Sequence, residues 1–375
     1  MGHPRSGRWN GLLLLATAWG ASAAADAGGV DAGTGDGAGG DAQMEAMVGV
    51  PVERATLRTS ALHLEMTPAF GGRVIGLRLH GEPDFLRVGT AVETQPRPEV
   101  SASSDDIAYL GHDVWVGPQS QWWLHQRLHA GRRDAAANWP PDPWLSLAPA
   151  QWLQRDARTL RLRGAASPLT GIQLEKQIRV DPQRADSVVL EVTGRNVRDV
   201  PIAWDIWFNT RVHADTRVFV PLGEPTDMRV EGAPDASMPD HHVEDGMLVL
   251  KADATSRGPR GKWFVQPAAG WMAGFRGNQA LVIRFELQPR EAIHPEQGQV
   301  ELYLAAAQDP DSEGLLEMEV HAPYRSLAPG ASMQAGERWT LLQWDGGDDA
   351  EQQRAFLCRH ADSLGLQGAC VNTSN

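Results

Sequence analysis

The 375-residue chain is poor in cysteine, tyrosine and positive charge: two Cys, three Tyr, and 34 Lys and Arg against 47 Asp and Glu, a formal charge of −13. A surface of that sign repels polyphosphate, and with no basic patch to offset it nucleic-acid binding is not expected. Two cysteines with His360 between them are too few ligands for a structural zinc site. No apolar run reaches the roughly 20 residues of a membrane-spanning helix, so no span is expected. The Gly-Lys-Ser/Thr phosphate loop, the Gly-x-Ser-x-Gly elbow and the Cys-x-x-Cys pair are missing, along with the chemistries they carry. His125 and His129 have zinc-pair spacing, but Gln126 stands where a metalloprotease helix places its glutamate. Neither a metal nor a cofactor is expected.

What is present begins with a secretory pattern. Arg5 and Arg8 precede the apolar run Leu12 to Leu15, and Ala21-Ser22-Ala23 and Ala23-Ala24-Ala25 offer small residues for cleavage. Residues 1–25 therefore read as a signal peptide and the protein as periplasmic or secreted. Cleavage takes away two arginines and no acid, moving the charge from −13 to −15. Residues 26–43, almost wholly Ala, Gly and Asp, read as a flexible linker, because the Asp-Ala-Gly steps lack the bidentate Glu that a calcium loop requires. Cys358 and Cys370 either close a small loop that pins the tail, the pairing an exported chain favours, or remain as two buried thiols.

From about residue 52, period-two patterns dominate. Ile172, Leu174, Ile178 and Val180 alternate with Gln173, Glu175, Gln177 and Arg179; Asp181 to Arg184 make a turn, and a second run starts at Val188. Similar runs occur at 281–287, 300–304 and 316–320, with further strands expected at 56–66, 72–80, 158–163, 203–210, 246–252 and 337–344. Ten or more short strands without helical crossovers imply an all-β fold, a large antiparallel sandwich, rather than a parallel α/β sheet. Gln352 to Leu364 is the clearest helix, with Gly365 to end it. Residues 44–345 read as one domain and 346–375 as a C-terminal helix and tail.

Tryptophan is the anomaly. Six of the 14 fall between 115 and 152: Trp115, Trp122, Trp123, Trp139, Trp144 and Trp152. Indole faces suit the C–H faces of a sugar ring, and nearby His112, Asp113, Gln119, Asn138 and Asp142 supply partners for hydroxyls. The alternative is that these rings fill a core beneath a long loop. A second cluster is Glu317, Glu319 and His321, which at strand spacing share the face opposite Leu316, Met318 and Val320. A carboxylate and an imidazole there suit a base and an acid, or belong to an ordinary solvated face. Asp205, Trp207 and Asn209 make a comparable polar-aromatic face.

Five segments in order carry a family resemblance: Thr67 to Val74 with Gly71-Gly72-Arg73, Gly111 to Trp115, Trp139 to Pro143, His294 to Tyr303, and Glu317 to Pro323 followed by Leu327 to Gly330 and Trp339. Together they resemble the domain-of-unknown-function family 4380, similar in fold to aldose 1-epimerase (galactose mutarotase). The resemblance implies a β-supersandwich, to which the residues above add a short C-terminal helix, and a sugar site on a concave sheet face. It implies Glu319 as the catalytic carboxylate, on a late strand before a proline. The mutarotase Asn-x-Thr-Asn-His segment is missing, which leaves His112 or His321 as the acid. Arg73 and Lys262 are then expected to orient hydroxyls or a substrate carboxylate, and Trp115 and Trp122 to stack on the ring, with Gln119, Trp139, Asp142, Asp205, Trp207 and Asn209 as further contacts. The expected partner is a mono- or oligosaccharide, either interconverted between anomers or bound without turnover by an accessory module. A lyase or hydrolase would need a tyrosine or a carboxylate pair, and Tyr109, Tyr303 and Tyr324 stand in no recognisable motif.

Overall fold

The computed structural model describes residues 52–251, 258–307 and 314–370. The expected signal peptide and linker lie outside them. In chain order the strands are β1 (Ala55–Arg58), β2 (Leu62–Thr67), β3 (Arg73–Leu79), β4 (His112–Trp115), β5 (Gln151–Arg155), β6 (Thr159–Ala166), β7 (Ile172–Val180), β8 (Ser187–Asn196), β9 (Ile202–Trp204), β10 (Trp207–His213), β11 (Arg217–Pro221), β12 (Met228–Gly232), β13 (His241–Glu244), β14 (Met247–Leu250), β15 (Arg260–Val265), β16 (Trp271–Arg276), β17 (Gln279–Phe285), β18 (Val300–Ala305), β19 (Leu315–His321), β20 (Arg325–Leu327) and β21 (Ser332–Gln343). They form a nine-stranded sheet in the order β1-β2-β3-β4-β10-β19-β18-β15-β12 and a ten-stranded sheet in the order β13-β14-β11-β16-β17-β21-β8-β7-β6-β5; β9 and β20 make a separate pair. The result is the large antiparallel sandwich that the alternating strands imply, and the supersandwich that the family resemblance implies.

Alternation explains the layering. In β7 Ile172, Leu174 and Ile178 are buried while Gln173, Glu175 and Gln177 are half-buried on the other face. The buried set joins Leu57 and Leu64 from β1 and β2, and Leu302 and Leu316 from β18 and β19, in one core between the sheets. Each such side chain, fully buried, contributes about 1.5–3 kcal/mol. The run expected as one strand at 56–66 is two, because Thr59 Oγ1 accepts from the amides of Ala61 and Leu62 and turns the chain.

Residues 350–364 form the C-terminal helix. Asp349 caps it by accepting from the Gln352 amide, and Gly365 ends it in the left-handed conformation at φ 66°. Phe356, Leu357 and Leu364 pack against Phe275 and Trp344 on the outer face of the ten-stranded sheet, and Cys358 is joined to Cys370 by a disulfide.

One feature departs from a simple sandwich. Trp207 to Val212 of β10 and Met318 to His321 of β19 are buried without alternation. Both faces of the nine-stranded sheet are therefore covered at its centre, the inner by apolar side chains and the other by polar ones. That second face carries the candidate site.

Candidate functional site

Antiparallel register builds the site. Asn209 of β10 lies opposite Glu319 of β19, which lies opposite Glu301 of β18. The adjacent row runs Arg211, Glu317, Tyr303 and Lys262, and Trp115, Trp207 and His321 make a third. Residues more than 200 positions apart thus share one face.

The polar groups interlock. Lys262 Nζ stands 2.7 Å from Glu301 Oε2 and 3.0 Å from Glu319 Oε2. Asn209 Nδ2 donates to Glu319 Oε1 at 3.0 Å and to Glu317 Oε1 at 3.2 Å, and Arg211 Nε donates to Glu317 Oε1 at 2.8 Å. His321 has Asp205 Oδ2 3.1 Å from Nδ1 and Glu301 Oε1 3.4 Å from Nε2. Asp205 also accepts from the Gly117 amide at 2.7 Å, tying the loop after β4 to the site. A Cβ on Gly117 would come within 2.3 Å of Gln297 Nε2 and 2.6 Å of Asp205 Oδ1, so a larger residue there has to push these two side-chain ends out of the site.

Burial and charge set the protonation states. Burial pushes the Glu319 carboxyl up to about 7; Lys262 opposes this, while Glu317 and Glu301 add to it. Burial also disfavours ionised Glu301, but Lys262 and His321 outweigh it and hold this acid down at about 2. His321 loses hydration too, yet Glu301 and Asp205 raise it to about 9, so it is an imidazolium at neutral pH. One carboxyl on the face is consequently half-protonated near neutrality beside one held ionised there, the separation that acid–base chemistry uses. Glu301, Glu319 and His321 offer donor atoms within 4.8 Å of one another, the spacing of an ion site. The Lys262 ammonium already stands between the two carboxylates, so a divalent ion would have to displace it.

Aromatic rings wall this cluster. Trp207 meets His321 at 4.7 Å between centroids and Trp115 edge-on at 5.0 Å; Trp122 stacks on Trp207 at 5.7 Å and Trp139 meets Trp115 edge-on at 6.1 Å. Trp115, Trp122 and Trp207 are buried and Trp139 is half-buried, so the indole faces mostly pack on one another. Glu319 and His321 are fully covered, and water reaches the face at Lys262 and Glu317, whose side chains are 15% and 13% exposed.

The structure thus brings Glu319, His321, Asp205, Asn209, Trp207, Trp115, Trp122 and Lys262 together. Arg73 lies beyond Asp113, donating to it at 2.6 Å, with Lys176 on the other oxygen at 3.1 Å. His112 points the other way: it lies opposite Thr210, bonds Thr210 Oγ1 at 3.0 Å and meets the Trp339 ring at 4.7 Å, all between the sheets. Strand parity separates it from Glu319. Asp142 is engaged in structure, capping the Trp144 amide and accepting from the Ser167 and Thr170 hydroxyls. Gln119 donates to the Asn138 carbonyl and joins two loops. Glu301 and Arg211 were not expected. Glu301 alternates with Val300 and Leu302, a pattern that places it on the polar face of β18 as surely as Glu319 on β19.

The family model described as domain of unknown function 4380 matches residues 52–342. The chain belongs to this family. No curated protein matches it. Among solved structures, the Slr1438 protein from Synechocystis sp. PCC 6803 superposes with a TM-score of 0.50 at 15% identity, over 79% of this chain and 99% of that one. A galactose mutarotase-like protein from Lactobacillus casei gives 0.49 at 9% identity, covering 77% and 100%, and a galactose mutarotase related enzyme from Lactobacillus acidophilus 0.48 at 10%, covering 78% and 99%. At these identities the likeness is one of fold.

Proposed function

We propose that this family member is an exported sugar-binding protein that interconverts the anomers of an aldose on the Glu319 face. The observation that carries the reading is a buried carboxyl poised near pH 7 beside an imidazolium, on the sheet face that the mutarotase resemblance singles out. Glu319 takes the proton of the anomeric hydroxyl and His321 supplies one to the ring oxygen. The ring opens, the aldehyde turns about its C1–C2 bond, and reclosure returns both protons. Two positioned proton-transfer groups contribute about 10²–10⁴ each, enough for a reaction already measurable in water. Asn209 orients Glu319, and Asp205 orients His321. His112, turned to the core, takes no part.

Polarimetry on freshly dissolved α-D-glucose and α-D-galactose tests this. We expect the wild-type protein to accelerate the approach to equilibrium and Glu319→Gln to lose at least about 100-fold of that acceleration with an unchanged melting curve. A variant within a few-fold of wild type would contradict the assignment. The full burial of Glu319 and His321 and the mutual packing of the indoles favour a second reading, a binding module without turnover. Saturable tryptophan quenching by sugars without faster mutarotation selects it.

A further inference from the structure

Six buried polar atoms on the site face find no hydrogen-bond partner among the described residues. Glu319 Oε2 and His321 Nε2 face ion-pair partners, and Gln297 Oε1 is satisfied once its amide is turned toward the His321 imidazolium 2.9 Å away. Trp207 Nε1, Asn209 Oδ1 and Arg211 Nη1 remain. These three belong to alternate residues of β10, on one face and at steps of about 6.8 Å. Their chemistry alternates as well. Trp207 offers a donor and Arg211 offers a donor. Asn209 must present its oxygen, because its Nδ2 is committed to the Glu317 and Glu319 carboxylates. All three residues are buried, with Arg211 4% exposed and Asn209 not at all. Leaving such atoms unmatched costs about 1–3 kcal/mol apiece, so a run of them on one strand marks a place where something else supplies the partner.

The charges say what kind of partner. Arg211 is neutralised by Glu317 at 2.8 Å and stands over the Trp115 ring at 4.8 Å. Lys262 is shared between Glu301 and Glu319. Among the described residues the two cations nearest the row, Arg211 and Lys262, already have carboxylate partners, and the buried Arg73 and Lys176 are both turned to Asp113, which disfavours a phosphate or uronate group at the row. Hydroxyls, each both donor and acceptor, fit the alternation without adding charge.

We propose that Trp207, Asn209 and Arg211 form a donor–acceptor–donor row that reads consecutive hydroxyls of an uncharged polyol, with Arg211 as a specificity-determining residue. This rests on the Glu319 face being a sugar site and adds which edge of the ligand is read and which ligands are refused. The accessible end of the row is at Lys262 and Glu317.

The test is calorimetric titration with glucose, galactose and mannose, and with glucose 6-phosphate and glucuronate. Trp207→Phe keeps an aromatic ring, though a smaller one, and deletes the indole donor; Arg211→Lys keeps the charge beside Glu317 and deletes the forked geometry. We expect wild type to bind at least one neutral hexose tenfold or more tightly than its anionic counterpart, and each variant to weaken that binding about five- to tenfold. Equal or tighter binding of an anionic sugar, or both variants binding as wild type, overturns the row. Anomer interconversion that survives in wild type and both variants alike overturns the row and leaves the Glu319 reading intact. A wild-type protein that binds none of the five probes overturns both.

Discussion

Replacing Lys262 by methionine removes one ammonium and keeps most of the stem. Its Nζ stands 2.7 Å and 3.0 Å from the Glu301 and Glu319 oxygens, and the side chain is 15% exposed. The substitution leaves two carboxyls facing one another without their shared cation. Breaking a buried pair from one side typically costs about 3–5 kcal/mol. With an unfolding entropy of about 2.1 cal/mol/K per residue over about 300 folded residues, that lowers Tm by about 5–8 °C. The loss has a pH signature. In wild type, Lys262 and His321 keep Glu301 ionised down to about 2, so its ionised form stabilises the fold at neutral pH and that contribution fades only as pH falls below about 4.5. In the variant the carboxyls take up protons more readily, so the deficit against wild type shrinks as pH falls. Urea denaturation at pH 8, 6.5 and 5 reads both effects. A loss below about 1 kcal/mol at pH 8, or a deficit of the same size at pH 5, would refute the clamp.

Glu337 is buried between the sheets, its Oε2 accepting from Trp339 Nε1 at 2.8 Å, and burial pushes it up to about 8. The folded chain keeps that proton between about pH 4.5 and 8 while the unfolded chain releases it, so stability falls by at most about 1.4 kcal/mol per pH unit as pH rises through this window. Glu337→Gln should flatten the decline and be the more stable protein at pH 8.5; urea midpoints at pH 5 and 8.5 that move in parallel with wild type would contradict this. Gly117→Ala forces a Cβ onto Gln297 and Asp205, and we expect about 1–3 kcal/mol of destabilisation in thermal melts; an unchanged Tm speaks against the tight fit. Reducing the Cys358–Cys370 bond, which spans 12 positions, should cost about 3 kcal/mol and open the C-terminal helix first, read as new proteolytic cleavage between 350 and 370.

Much of the architecture was legible because its signal is local. The alternation in β7, β8, β17, β18 and β19 places those strands within a few residues, and Gly365 marks the helix end. Glu317, Glu319 and His321 were found by the same parity. The neighbours of β19 were not legible: β10, about 110 positions earlier, supplies Asn209 and Arg211, and only sheet order makes them adjacent. His112 shows the limit. Its place in the chain fitted a site residue, but pairing with Thr210 fixes its parity, and one position separates the inner face from the outer. Asp142 followed by Pro143 carries a helix-capping signature that the surrounding tryptophans obscured. The tryptophans themselves did gather at the site, though as rings packed on rings. Period-two reasoning counts residues per face and says nothing of what covers that face.

The most direct measurement is a crystal structure of the protein soaked in the neutral hexose that it binds best. The account predicts a sugar ring on the nine-stranded sheet, with hydroxyl oxygens within hydrogen-bond distance of Glu319, Asn209 and Arg211. A ring seated instead in the shallow cavity of about 410 Å³ that Arg284, Arg338 and Gly365 line on the ten-stranded sheet, with the Glu319 face unchanged, would contradict it.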